Sequence, residues 1–135
     1  MTIERVNPPS LARASGFSHA VIATGERLVF LAGQTALDGT GSITGATVAE
    51  QFEQALANLL TALAAAGGQP ADLASLTIYA VDLADYRAHG REIGAIWRRL
   101  AGRDYPAMAA IGVSRLWDAA ALVEIQGYAV LPAGG

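Results

Sequence analysis

The chain has 135 residues, 53% of them hydrophobic and 16% charged, with a formal net charge of −3. One domain spanning 1–135 is the expectation. Disorder is excluded, and the apolar excess predicts subunit association. With no cysteine and no lysine, thiol nucleophiles, disulfides, thiolate metal sites, Schiff bases and Walker-type phosphate lysines are all excluded.

The acidic balance argues against nucleic acid as the main partner, because phosphate binding needs clustered positive charge. His19 and His89 are the only histidines, too few for an all-histidine metal site, and no metal or cofactor is implied.

Met1-Thr2-Ile3-Glu4-Arg5 lacks the basic start and apolar run of a signal peptide, so a cytoplasmic location is expected. Ala20 to Ala23 and Leu28 to Leu31 are β-prone runs separated by Thr24-Gly25-Glu26-Arg27, which predicts a hairpin. Gly33 to Gly45 reads as a loop. Thr47-x-x-Glu50 is a capping box, and Phe52, Leu56, Leu59, Leu60 and Leu63 then recur at helical spacing until Gly67-Gly68. The most apolar stretch, Ala55 to Gly68, is too short for a membrane span and carries Asn58 and Thr61, so it reads as a buried helix.

Pro70 to Asp72 forms a connector before a strand over Leu73 to Val81. Strand, helix and strand in succession suggest a crossover with parallel pairing. From about Asp85 to Leu100 a second amphipathic helix places Tyr86, Ile93, Ile96, Trp97 and Leu100 on one face. Met108 to Val113 and Ala120 to Val130 are strand-like, joined around Arg115 to Asp118, and Pro132 to Gly135 reads as a frayed end. The order predicts an α+β fold, a mixed sheet with both helices on one face.

Several segments together resemble the Rid superfamily, the reactive intermediate deaminase or YjgF-like proteins. They are Gly16-Phe17-Ser18-His19-Ala20-Val21, Leu31-Ala32-Gly33-Gln34, Gln51 with Asn58-Leu59, and Ala66-Gly67. The match continues through Val81-Asp82-Leu83, Asp85-Tyr86 and Tyr105-Pro106-Ala107 to Val123-Glu124-Ile125. The resemblance implies a chorismate-mutase-like α+β fold and a homotrimer with three pockets between subunits. Deaminating members hydrolyse enamines or imines such as 2-aminoacrylate, releasing ammonia and a 2-keto acid.

In those members an arginine directly after the Pro-Ala pair grips the substrate carboxylate. Here that position is Met108. A thioether offers no charge, so the charge-assisted bonds, each worth about 1.5–3 kcal/mol, are lost. Other departures are Phe17 for the usual tyrosine, Ala32 for the serine before Gly-Gln, Gly90 for an asparagine, and Ala110 for a small polar residue. The resemblance makes Glu124 the carboxylate that holds or activates water, a task suited to an acid or base among Phe17, Ala32, Met108 and Ala110. Backbone groups at Gly33 and Ala110 remain able to hydrogen-bond a substrate.

Plainer readings stand beside these. Glu124 could pair with an arginine across a trimer interface, His19 reads as a structural hydrogen bond, and His89 as a solvated or interface residue. Trp97 has the spacing of core, Trp117 sits in a loop, and Arg98, Arg99 and Arg103 read as a solvated helix end. Two functions therefore compete. One is a divergent enzyme using Glu124 on a less acidic imine, enamine or related reactive small molecule. The other is a non-catalytic trimeric binder of a hydrophobic small molecule or protein partner. Ribonuclease activity is the least favoured, for want of lysine and positive charge.

Overall fold

The structure is a computed structural model and describes residues 2–134. Strands β1 (Thr2–Val6), β2 (Ala20–Thr24) and β3 (Arg27–Gln34) precede helix α1 (Val48–Ala65), a 3-10 turn (Pro70–Asp72) and β4 (Leu73–Ala80). Helices α2 (Leu83–Ala88) and α3 (Gly90–Ala101) follow, then β5 (Ala107–Gly112) and β6 (Val123–Leu131). The fold is α+β. Its main sheet has the order β3-β6-β4-β5, with β4 and β5 parallel and the other pairs antiparallel.

Helix α1 begins where Thr47 predicts, its hydroxyl accepting from the Glu50 N–H at 3.1 Å. It ends in a Schellman arrangement: Gly67 takes φ +95°, its N–H donates to the Ala64 carbonyl, and the Gly68 N–H donates to that of Leu63. The buried stripe Phe52, Leu56, Leu59 and Leu63 packs on β3 and β6, meeting Leu73, Leu76, Ile78, Val123 and Ile125. Helix α3 packs against α1 and adds Ile93, Ile96 and Trp97 to this core. All the helices lie on the same side of the sheet.

Three expectations change. The predicted hairpin does not form: β2 pairs with β1, β3 pairs with β6, and Gly25 does not adopt a positive φ. Val29 and Leu31 must lie beneath α1, and pairing with the C-terminal strand achieves this where the nearby β2 would not. Nor are β3 and β4 adjacent, because β6 lies between them, and the parallel pair is β4 with β5, joined through α2 and α3. Strand β6 takes the centre because its alternate residues Val123, Ile125 and Ala129 are fully buried under the helices.

The single second helix is two. The break falls at His89 (φ −101°, ψ 20°), where the Asp85 carbonyl is shared between the His89 N–H and its ring Nδ1, just before the poor helix former Gly90. Asp82 caps α2 by accepting the Asp85 N–H at 3.0 Å.

Candidate functional site

Glu124 leaves β6 on the face opposite the helices, between the buried Val123 and Ile125 and in register with Tyr79 of β4. Beside it β3 carries a bulge: Leu31 pairs with Gly127 but Gln34 pairs with Ile125, so β3 holds one extra residue. Ala32 and Gly33 occupy that bulge. A Cβ on Gly33 would lie 2.9 Å from Cδ of Glu124 and 3.0 Å from its Oε2. The half-buried carboxylate therefore rests on bare backbone, and among the described residues it takes part in no hydrogen bond or ion pair. Nearby on this face Gln126 donates to the Tyr79 hydroxyl at 3.2 Å.

Met108 is placed elsewhere. It pairs with Leu76 on β4 and so faces the helices, where it lines a cleft of about 650 Å³ with Gly90, Phe52, Ile78 and Trp97. Ala110, in register with Ile78, shares that side of β5 but is exposed. Phe17 is half-buried and stands edge-on to His19 at 5.1 Å, while its neighbours Ser15 and Gly16 line the cleft.

Ser18 anchors this segment along the free edge of β5. Its hydroxyl donates to the Tyr105 carbonyl at 2.7 Å and its N–H to that of Pro106 at 3.0 Å. One chain thus joins Glu124 with Ala32 and Gly33, and joins Met108 with Gly90, but puts the two groups on opposite faces of the sheet. Glu124 is flanked in its own chain by the β3 bulge and Tyr79, and not by Met108 or Ala110.

The histidines are held locally. The His19 ring Nε2 lies 2.7 Å from the Ala12 carbonyl, and its backbone N–H donates to Asn7 at 2.8 Å. His89 Nδ1 lies 2.9 Å from the Asp85 carbonyl, which raises its pKa above the usual value, with the Asp85 and Glu92 charges adding to the rise.

Trp97 is core, stacked on Tyr105 at 6.0 Å, whereas Trp117 is 92% exposed. Arg99 pairs with Glu53. Arg98 is exposed, as expected of a solvated helix end, and with the equally exposed Arg91 it also lines the cleft. Tyr86 also lines it, and burial pushes its hydroxyl up to about 12. The sequence signal for this cleft was the run Gly90, Arg91, Gly94 and Arg98 within an otherwise core-forming helix. Among the described residues no group of three histidine, aspartate or glutamate side chains is placed to hold a metal, and no helix is long and apolar enough to cross a membrane.

The sequence profile described as Endoribonuclease L-PSP matches residues 8–131. A Rid family protein of Yersinia pestis has a solved structure that superposes with a TM-score of 0.88 at 35% identity, covering 97% of this chain and all of that one. A RutC family protein of Pyrococcus horikoshii is 32% identical over 75% of this chain and 77% of its own. The human 2-iminobutanoate/2-iminopropanoate deaminase is 29% identical over 90% of this chain and 87% of its own.

Proposed function

The chain belongs to the endoribonuclease L-PSP family, the YjgF or Rid proteins, and from that premise we propose that it is a divergent enzyme acting on an imine, enamine or related reactive small molecule. Glu124 assists hydrolysis or proton transfer there. The observation that carries this reading is the placement of Glu124: a half-buried carboxylate on a glycine bulge with no hydrogen-bond or ion-pair partner among the described residues of its own chain. A structural glutamate in such a place is costly unless paired, whereas a general base needs free lone pairs.

In this role the carboxylate takes a proton from water as the water oxygen adds to the imine carbon, and returns it to nitrogen to give the carbinolamine. It then takes the carbinolamine hydroxyl proton and passes it to the amine, so that the C–N bond breaks, ammonia leaves and the carbonyl forms. Gly33 keeps Glu124 in place by having no side chain.

Glu124 and Met108 lie on opposite faces of one subunit's sheet, so a common site requires two subunits. The proposed assembly is a homotrimer with a cleft at each subunit junction. Support comes from the face that carries Glu124, which also exposes Leu28 at 66% and Phe30 at 72%. Met108 at the position of the family arginine supports a substrate other than the standard 2-imino acids, for which the human relative is named.

The test is ammonia release from a panel of imines by the native protein and by Glu124→Gln. General acid or base catalysis by one group is worth about 100- to 10,000-fold, and turnover should fall by that factor. A folded variant that loses less than about threefold, far below that range, makes Glu124 structural and the cleft a binding site without chemistry.

A further inference from the structure

We propose that the cleft between α3 and β5 takes an amphipathic anion, a small molecule whose apolar body lies against Trp97 and Met108 and whose carboxylate is held by Arg91 and Arg98. The inference rests on the preceding reading that this cleft receives the substrate, and it names the substrate's class. Met108 brings no charge to the cleft, and Arg91 and Arg98 on α3 supply it.

Three observations converge on this class. The cleft, at about 650 Å³, has the size of a small-molecule site, and its walls include Phe52, Ile78, Trp97 and Met108. No acidic residue lines it among the described residues, although the chain as a whole carries a net charge of −3. Its two charged lining residues, Arg91 and Arg98, stand two helical turns apart and form no ion pair among the described residues, whereas the adjacent Arg99 is paired with Glu53.

Gly94 lies on the helix face between them. The Arg98 Nη1 comes within 3.4 Å of where a Gly94 Cβ would be, so the missing side chain lets the guanidinium lie back along the cleft wall.

An arginine fork binds a carboxylate with charge-assisted bonds, and Arg91 and Arg98, both exposed, would hold it at the rim of the apolar cleft. Because Met108 is uncharged, the carboxylate of the ligand cannot adjoin the carbon that sits at that residue. The substrates so defined carry the acid at the end remote from the reacting group, beyond an apolar body, unlike a 2-imino acid.

The experiment titrates 3-phenylpropanoate and its neutral analogue 3-phenylpropanamide, followed by tryptophan emission. Trp117→Phe serves as the background, which leaves Trp97 as the sole indole of the two in the sequence. The carboxylate should bind about tenfold more tightly than the amide, as expected for charge-assisted bonds at a partly exposed rim. Arg91→Gln with Arg98→Gln should abolish that preference, bringing the carboxylate down to the affinity of the amide.

Equal affinities for the two probes, a preference that survives the double variant, or failure of both to bind at millimolar concentration would each overturn the proposal. The readout is independent of turnover. If the preference is present but Glu124→Gln has no effect on ammonia release, the functional reading fails alone. If turnover depends on Glu124 but the preference is absent, this inference fails alone.

Discussion

The two faces of the main sheet are built from the same strands and do different work. Toward the helices, Leu73, Leu76, Ile78, Val123 and Ile125 are at most 3% exposed. On the other face Leu28, Phe30 and Tyr128 are exposed, with Phe30 edge-on to Tyr128 at 5.4 Å, and Glu124 has no ion-pair partner among the described residues. Period-two alternation produces both faces at once. Burial under α1 makes one of them the source of stability, and the absence of a covering layer within the chain leaves the other free for association and chemistry.

Truncation on the covered face should break this contrast most strongly. Phe52→Ala removes a side chain that is 1% exposed in the centre of the core and should lower unfolding free energy by about 3–5 kcal/mol in urea titration. A loss below about 1 kcal/mol, well under that range, would mean that the helix layer contributes far less than its burial implies.

The same face should carry an alkaline weakness. The Tyr86 hydroxyl, desolvated on the helix side, is held up to about 12 from its usual 10. Above pH 10 the unfolded chain loses this proton while the folded chain keeps it, so stability falls as pH rises toward 12. The loss approaches about 2–3 kcal/mol. Tyr86→Phe should flatten the dependence of melting temperature on pH in that window, and an unchanged slope would refute the assignment.

The bulge offers a sharper separation of stability from chemistry. In Gly33→Ala the new Cβ meets the flexible end of Glu124, so the carboxylate should swing away at a cost to stability of roughly 1 kcal/mol or less. Turnover should fall by about tenfold or more, because small displacements of a catalytic group are expensive. Equal turnover in the variant and the native protein would show that the position of Glu124 is immaterial.

The smallest effect on the subunit itself belongs to the open face. Phe30→Ser should change the stability of an isolated subunit by within about 0.5 kcal/mol, as for other exposed positions. Sedimentation should nevertheless show dissociation of the proposed trimer. An assembly that is unaffected would place the interface elsewhere.

Much of this architecture was legible locally. The Thr47 cap, the Phe52 to Leu63 stripe and the Gly67-Gly68 terminus mark α1 because capping and helical periodicity depend on residues within a few positions of one another. The strand over 73–80 and the final strand were similarly evident from composition. Met108 and Glu124 were singled out only by the family resemblance that the Pro-Ala and Val-Glu-Ile segments carry.

What the chain could not announce was partnership. Strand pairing joins residues about a hundred positions apart, as in Arg27 with Leu131, and a local turn signal at Gly25 cannot compete once β3 must present Val29 and Leu31 to α1. The one-residue bulge at Ala32-Gly33 has no length of its own in the sequence. It arises from the register of β3 on β6, and it is what brings Gly33 beneath Glu124.

The sequence by itself determined the residue chemistry available: a carboxylate at position 124, no cysteine thiol or lysine amine, and an uncharged methionine at position 108. Tertiary structure decided which groups share a face, separating Glu124 from Met108 and turning Arg91 and Arg98 toward a common cleft. The reason is geometric. Side-chain identity is a property of each position, but the face a strand residue occupies depends on register with partners that the chain reaches only when folded.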